Sequence, residues 1–294
     1  MDVFEVEVTP RGAFDLSRSI GFLEEWPVTQ RPADGSVLRF AFCAERDWRP
    51  VGVRVAQRGE QVVIRVSGPQ GVPEDAADQV VRILSLDVDA TVVDRIVDRD
   101  PVLEPLVRAT TGLRPVCFWT PWEAACWAVL SQRTSMRTAS GVKRRIGERL
   151  GTPVVVDGEE LIAFPAPRTV LDGTGLPGVN PVRLARIQTL AAAALDGTLT
   201  AAALRSVPAD DALATLRTLP GIGPFSAALI LIRGAGAPDV LTTDEPRLLA
   251  AIRELYHLPE NTTDDDYRAV IQQWRPLRSW VSFWLRATAA NLPQ

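Results

Sequence analysis

The sequence predicts an α+β fold, in which a small sheet-containing N-terminal domain precedes a helical remainder. β-branched side chains alternate along several segments of the first third of the chain, which is typical of half-buried strands. From Glu74 onward, apolar residues recur instead at the three-to-four-residue spacing of amphipathic helices. Between these regions, residues 67–73 are rich in glycine and proline, which favour turns.

The clearest N-terminal element is an antiparallel hairpin. Residues 51–56 and 61–66 alternate β-branched and other side chains, and the turn between them contains Gly59. We also expect strands near residues 3–8 and 36–42, and a helix over residues 15–25 with Leu16, Ile20 and Leu23 on one face.

The apolar spacing in the remainder of the chain predicts only helices. The expected helices cover residues 74–86, 91–98, 102–111, 138–150, 165–172, 181–195, 201–205 and 209–219, and a long apolar helix begins at Pro121. Proline suits a first helical turn because the N–H that it lacks would have no partner there.

Composition argues against several classes of protein. The chain has no run of about 18 apolar residues that could span a bilayer. Its N-terminus lacks the basic and then apolar segment of a secretory signal. Cys43, Cys117 and Cys126 form no CxxC pair, so neither a disulfide framework nor a zinc site is expected.

The charge pattern leaves two interpretations open. A formal net charge of -4 does not favour a nucleic-acid partner, but Arg133 to Arg149 is a basic segment opposed only by Glu148. The segment could be a solvated helix face or a surface that contacts phosphates, because phosphate binding depends on where cations cluster.

The most informative motif is the turn Leu219-Pro220-Gly221-Ile222-Gly223, which lies between two apolar helices. The two glycines leave the backbone bare, so its N–H groups can approach an anionic oxygen. The second helix directs its positive end to the same place. The motif therefore predicts a phosphate-binding turn anchored by Ile222, with a plain helix-terminating turn as the alternative.

Residues 219–227 (Leu-Pro-Gly-Ile-Gly-Pro-Phe-Ser-Ala), followed by Arg233-Gly234 and Asp244-Glu245, resemble the helix-hairpin-helix/Gly-Pro-Asp superfamily of base-excision DNA glycosylases. The likeness covers nearly the whole chain and is strongest to DNA-3-methyladenine glycosylase II. Further markers are Gly21-Phe22-Leu23 and residues 130–135, 164–167, 194–199 and 274–279.

The resemblance implies an N-terminal α/β domain (residues 1–90) and two mainly helical subdomains. One comprises residues 91–120 plus 238–294; the other comprises residues 121–237 and carries the hairpin at 209–233. The resemblance also implies a substrate cleft between the two helical subdomains.

The activity implied is that of a monofunctional glycosylase in base-excision repair. Such an enzyme hydrolyses the N-glycosidic bond of an alkylated, 3-methyladenine-like base flipped out of duplex DNA, without a metal or cofactor. We expect a cytoplasmic, nucleoid-associated monomer whose partner is damaged duplex DNA. A non-catalytic DNA- or lesion-binding protein, or a glycosylase for deaminated or oxidised bases, is the alternative.

Two acidic residues are candidates for the catalytic acid. Taken alone, Asp244-Glu245-Pro246 is ordinary chemistry for the start of a helix. In the family, a carboxylate at this place faces the sugar, where it stabilises positive charge or orients water. Counting without gaps from the hairpin puts Glu245 on the family's catalytic aspartate, so we expect Glu245 to act, with Asp244 as the alternative.

The resemblance also argues against lyase chemistry. Lyase-type relatives have a nucleophilic lysine where this chain has Phe225, and the only lysine is Lys143. Phe225 is expected either in the core or against the flipped base. Together with Gly221, Ile222 and Gly223, we expect Phe225 and Ser226 to contact DNA.

The remaining candidates are a loop and three tryptophans. Gln132 and Arg133 stand where family members push a side chain into the duplex, although Arg133 could equally be a surface cation. Trp122, Trp280 and Trp284 are candidates for the base pocket, where they would attract cationic alkylated bases. The alternative for each tryptophan is burial in the core.

Overall fold

A computed structural model describes residues 2–25 and 36–288 and confirms the mixed α+β architecture. Six strands are present in the described ranges: β1 Asp2–Val8, β2 Val37–Cys43, β3 Pro50–Arg58, β4 Gln61–Gly68, β5 Thr152–Val156 and β6 Glu159–Ala163.

The first four strands form an antiparallel sheet in the order β1-β4-β3-β2. The predicted hairpin is confirmed: Val55 pairs with Ile64, and Gly59 lies in the connecting turn with a φ of 60°. One face of this sheet is buried, because Val53, Val55 and Ile64 are fully covered. They share a core cluster with Leu16, from the first helix.

The described helices follow the predicted order, with shifted ends. They are α1 Leu16–Glu25, α2 Pro73–Ile83, α3 Val93–Arg99, α4 Glu104–Thr110, α5 Pro121–Leu130, α6 Met136–Leu150, α7 Pro167–Leu171, α8 Pro181–Leu195, α9 Ala201–Arg205, α10 Ala209–Arg217, α11 Pro224–Leu229, α12 Pro246–Leu255, α13 Asp264–Gln272 and α14 Arg278–Thr288. No helix in the described part of the chain has both the length and the apolar character needed to cross a membrane.

The expectation that the chain is purely helical after residue 74 is wrong at one place. β5 and β6 form a second antiparallel hairpin, and Val156 and Leu161 on it pack against Ala41 and Cys43 of the main sheet. Its turn is Asp157-Gly158, with φ values of 50° and 83°. Asp-Gly is a favoured two-residue hairpin turn, so the signal was present in the sequence.

The apolar helix predicted to follow the glycine turn also differs from the structure. Its α-helical part ends at Leu229, and a wider π-helical turn continues as Ile230–Gly234. Such turns often occur at functional sites, and here the turn carries Arg233.

Three large clusters of buried side chains hold the helical and sheet regions together. The first joins α1, α2 and the main sheet, the second joins α5 through α11, and the third joins α3 and α4 with α12 to α14. The cluster formed by α5 to α11 supports the turn between α10 and α11. The third cluster supports the start of α12, where the acidic candidates Asp244 and Glu245 lie.

Candidate DNA interface and active site

The glycine turn, residues 219–223, joins α10 to α11, and its central side chain anchors it in the core. Ile222 is only 4% exposed and packs into the core, as the sequence predicts. Its backbone N–H donates to the carbonyl of Leu219 at 3.0 Å, and Gly221 has a φ of 86° that favours glycine. The turn is therefore fixed, with Gly223 as the exposed N-cap of α11.

Gln132 connects a second loop, between α5 and α6, to this turn. Its side-chain amide donates to the Gly221 carbonyl at 2.6 Å. In return, Arg186 donates to the Gln132 side-chain oxygen at 3.2 Å, and Arg183 donates to the Gln132 backbone carbonyl. Arg133, next in the chain, is exposed and has a φ of 52°, so the loop tip projects from a hydrogen-bonded base.

The loop and the turn enclose a surface cleft of about 850 Å³. Four arginines line it, namely Arg133, Arg183, Arg186 and Arg217. The described residues that line the cleft include no acidic side chain. Its charge is therefore positive beside the bare backbone of the turn, as a phosphate-contacting surface requires.

The basic segment after Arg133 divides into exposed and buried cations. Arg137 and Arg144 are exposed on α6, which fits a solvated or phosphate-facing surface. Lys143 is instead mostly covered, with its ammonium 3.0 Å from a carboxylate oxygen of the buried Glu123 and over the ring of Phe164. The single lysine of the chain is thus tied into a buried ion pair.

Phe225 and Ser226 begin α11 immediately after the turn. Phe225 is 48% exposed, so the interpretation that it belongs to the core is wrong. Ser226, one residue later, is buried. The ring of Phe225 is therefore available to a ligand held at the turn, whereas the side chain of Ser226 faces the protein.

Glu245 is the N-cap residue of α12, as the position of Pro246 predicts, but its side chain does not cap the helix. One carboxylate oxygen lies 2.5 Å from the Nε of Arg286 on α14 instead. The two side chains are 27% and 30% exposed, so the pair is accessible. Asp244 is exposed, and its backbone N–H donates to the Thr242 hydroxyl at 3.4 Å.

Arg233, in the π-helical turn, packs against two aromatic rings. Its guanidinium is 5.2 Å from the ring centres of both Phe22 and Phe283 and donates to the Val116 carbonyl. Burial lowers the pKa of Arg233 to about 10, while the charges of Cys117 and Glu245 oppose that shift. The Glu245 carboxylate is therefore close enough to act on the Arg233 charge.

The three candidate tryptophans lie in the core instead of lining an open pocket. Trp122, Trp280 and Trp284 are 1%, 2% and 5% exposed. Trp122 belongs to the buried cluster formed by α5 to α11. Trp280 and Trp284 belong to the buried cluster formed by α3, α4 and α12 to α14. Their faces are covered by neighbouring side chains, which corrects the expectation that they wall the base pocket.

The structure gathers Phe22 and Phe283 around Arg233. Their rings meet edge to face with centres 4.9 Å apart. In the sequence analysis, Phe22 and Arg233 were used only as family markers, and Phe283 and Arg286 were not singled out. A signal existed for two of them, because Phe283 and Arg286 are spaced three apart on α14 and so share a face.

The cysteines and acidic residues suggest no metal centre. Cys43, Cys117 and Cys126 are all buried and unbridged. Across residues 2–25 and 36–288, no three histidine, cysteine or acidic side chains are grouped so that they could hold a metal ion.

Comparisons with known proteins agree with this geometry. The chain is 23% identical to a DNA-3-methyladenine glycosylase of Bacillus subtilis over 95% of both chains. It is 31% identical to DNA-3-methyladenine glycosylase 2 of Escherichia coli over 59% of each chain.

Among solved structures, the 3-methyladenine DNA-glycosylase of Archaeoglobus fulgidus matches 98% of both chains with a TM-score of 0.80 and 21% identity. No protein-family model matches the chain. The full-length relative, the shared fold and the hairpin agree: the chain is similar in sequence to DNA-3-methyladenine glycosylases and has the fold of the Archaeoglobus fulgidus enzyme.

Proposed function

We propose that this protein is a monofunctional DNA glycosylase that hydrolyses the N-glycosidic bond of alkylated bases flipped out of duplex DNA. The observation that carries the proposal is the Glu245 carboxylate, which is solvent-accessible and fixed by Arg286 at the start of α12. An ungapped count from the hairpin motif supports Glu245 as the counterpart of the family's catalytic carboxylate, which faces the sugar.

The geometry suggests how the protein holds DNA. The Gly221–Gly223 backbone and the positive end of α11 take a phosphate, and the arginine-lined cleft beside them adds sequence-independent contacts. Arg133, at the tip of the loop held by Gln132, fills the gap left in the base stack. Such contacts offset the cost of unstacking the damaged nucleotide.

The reaction itself needs one carboxylate and one water. The bond between C1′ of the sugar and the base nitrogen breaks, and its electron pair leaves with the base. Positive charge develops on the sugar ring, where the Glu245 carboxylate stabilises it. A water oxygen then bonds to C1′ and loses a proton, which gives a sugar hydroxyl and the free base.

A single-step hydrolysis is favoured over a lyase reaction. Phe225 stands where a lyase would need its lysine, and Lys143 is engaged with Glu123 in a buried ion pair. We therefore expect no covalent imine between protein and abasic DNA. Borohydride treatment during the reaction should trap no protein–DNA adduct, and the product strand should remain uncut until alkali is added.

The test is base release from duplex oligonucleotides that each carry one alkylated base, either cationic or neutral. Glu245→Gln should slow release about 100-fold or more, because it removes the charge that stabilises the transition state. Asp244→Asn is the matched control and should release base at close to the wild-type rate. If the two variants were equally active, the assignment of the acid would be wrong.

One observation favours a second candidate, a non-catalytic lesion-binding protein. Glu245 already has a cationic partner in Arg286, and that pairing could withhold its charge from the sugar. Tight binding of damaged duplex without release of any base, even with stoichiometric protein, would establish this alternative.

A further inference from the structure

The loop between α5 and α6, residues 131–135, has an unfavourable backbone conformation at its tip. Its two ends are fixed, because α5 is buried along its whole length and Ser135 caps α6 by accepting the backbone N–H of Thr138 at 3.1 Å. Between these ends, Arg133 has a φ of 52°, in the left-handed region that disfavours a side chain. Such a conformation persists where the surrounding structure holds it. The tip therefore needs contacts beyond the two helices.

Gln132 makes those contacts from the residue before the tip. Its amide nitrogen donates to the carbonyl of Gly221, in the glycine turn, at 2.6 Å. Its amide oxygen accepts from Arg186 at 3.2 Å, and its backbone carbonyl accepts from Arg183. The donor and the acceptor of the Gln132 side chain are thus both engaged within the protein. This side chain is directed toward the turn, whereas the next one, Arg133, is exposed.

The glycine turn is shaped to receive the contact from Gln132. Arg186 crosses Gly221 so closely that an added Cβ on the glycine would lie 2.7 Å from Cδ of the arginine. Ile222 anchors the same turn in the core, without help from the loop. The turn is therefore the fixed partner, and the loop is the part whose position depends on Gln132.

A fixed separation between tip and turn matters for the proposed reaction. The turn binds a backbone phosphate, and Arg133 fills the place that the damaged base leaves in the stack. Both contacts form on one duplex while the nucleotide is rotated out, and misplacement of a contact by about 1 Å can cost about 100-fold in rate. A flexible tip would also lose conformational entropy each time DNA binds, which a tip held in advance does not.

We propose that Gln132 is a positioning residue that joins the loop tip to the glycine turn, so that Arg133 meets the base stack at a fixed distance from the bound phosphate. The inference rests on the proposed glycosylase function. It separates the roles of two residues that the sequence places together at the duplex gap: Arg133 contacts DNA, and Gln132 acts through Arg133 without entering the stack.

Affinity for an abasic duplex tests this role without catalysis. A duplex with one tetrahydrofuran abasic analogue has a gap that the tip can fill, whereas undamaged duplex has none. The measured quantity is the ratio of the two dissociation constants from fluorescence anisotropy, because partial unfolding lowers both affinities equally. Gln132→Met, which has a similar size but no amide, should reduce the abasic preference about tenfold. Its affinity for undamaged duplex should stay within about twofold, because the phosphate contacts of the turn remain.

A double-mutant cycle shows whether Gln132 acts through Arg133. Arg133→Ala should itself reduce the abasic preference about tenfold, and Gln132→Met should then add less than about twofold. Gln57→Met is the matched control and should leave the ratio unchanged. Gln57, on β3, is also partly buried, and its amide also accepts from the Leu16 N–H at 2.7 Å and donates to the Phe14 carbonyl at 3.0 Å.

Release of a damaged base gives the catalytic measurement. The substrates are duplexes with one 1,N6-ethenoadenine or one 7-methylguanine, placed either opposite its normal partner or opposite the abasic analogue. Gln132→Met should slow single-turnover release about tenfold opposite the normal partner. The loss should shrink to about threefold or less opposite the abasic analogue, because an unpaired base costs less to flip. A loss of folded protein alone would lower both rates alike.

The inference is wrong if the wild-type protein shows no abasic preference, or if either single variant keeps that preference in full. An additive loss in the double variant would also overturn it, because Gln132 would then act independently of Arg133. Equal losses for abasic and undamaged duplex in Gln132→Met would show that Gln132 supports only the turn. In contrast, no base release by the wild-type protein, with the abasic preference and the cycle as expected, would overturn the proposed glycosylase function and leave the positioning role.

Discussion

Among single residues, Phe225 at the start of α11 lies next to the turn that is proposed to bind DNA. Phe225 is a large apolar side chain that remains 48% exposed beside the glycine turn. The ring contributes little to the core in this position, and its place directly after the turn favours a ligand-facing role.

We predict that Phe225→Ala reduces base release about tenfold or more while changing the free energy of unfolding by less than about 0.5 kcal/mol. The reason is that the ring stacks on the flipped base but supports little of the core. Single-turnover kinetics and urea denaturation measure the two effects. Val207→Ala, a similarly exposed apolar truncation, should alter neither; a large loss of stability in Phe225→Ala would show that the ring is structural.

Gly221 is the residue where backbone conformation and packing act together. Its φ of 86° disfavours any side chain, and an added Cβ would lie 2.7 Å from Cδ of Arg186. Arg186 in turn holds Gln132, so a shift there would reach the loop that carries Arg133.

We predict that Gly221→Ala destabilises the fold by about 1–3 kcal/mol and weakens binding to all duplex sequences alike. Thermal unfolding and fluorescence anisotropy measure these effects. Gly197→Ala is the matched control, because Gly197 has a φ of 88° but open space around its Cβ position. It should show the backbone strain without the loss of DNA binding; equal binding losses in both would contradict a specific role for the turn.

At the scale of elements, the β5–β6 hairpin packs on the main sheet through a glycine. Gly52 of β3 faces Val154 and Val156, and an added Cβ would lie 2.5 Å from a methyl group of Val156. Arg39 and Arg54 of the sheet also pair with Asp157 in the turn, at 2.9 and 3.1 Å. The absence of a side chain at Gly52 therefore allows the β5–β6 hairpin to pack closely on the main sheet.

We predict that Gly52→Ala lowers the free energy of unfolding by about 1–3 kcal/mol, because stiff valine side chains must shift to admit the methyl group. Gly175→Ala, where the structure leaves open space, should change stability far less. Urea denaturation compares the two. Both variants should still bind DNA, because the β5–β6 hairpin takes no part in the proposed DNA interface.

At the scale of the whole molecule, buried arginines join regions that are distant in the chain. Arg114 is 1% exposed and donates to the carbonyls of residues 11–13, Ser85 and Val88. It also lies over the ring of Trp280 on α14. Burial lowers its pKa to about 10, so the group remains charged at neutral pH.

We predict that Arg114→Met costs about 3–5 kcal/mol of stability, because five carbonyls, two of them on the buried residues Ser85 and Val88, lose their donor at once. Arg108→Met is the matched control, since Arg108 is exposed and pairs only with Glu104 four residues earlier. It should cost less than about 0.5 kcal/mol. Chemical denaturation measures both, and a small effect at Arg114 would mean that water replaces its hydrogen bonds.

The sheet, the order of the helices and the hairpin turn could be predicted because each depends on neighbours in the chain. The alternation of residues 51–66 sets the strands, and the glycines set the turn conformation. Asp157-Gly158 carried an equally local signal that the helical interpretation of the surrounding region overlooked. Likewise, Pro246 was sufficient to place Glu245 at the start of α12.

The sequence by itself thus determined the conformation of the glycine turn, the place of Glu245 at the start of α12 and the aromatic residue, instead of a lysine, at position 225. Only the tertiary structure decided what surrounds that acid: Arg286 contacts Glu245, Arg233 lies over the rings of Phe22 and Phe283, and the candidate tryptophans are buried. The physical reason is the distance along the chain between the residues that interact. Backbone conformation and helix starts follow from a few adjacent residues, whereas the charge and shape of a pocket depend on helices that meet only when the cores have packed.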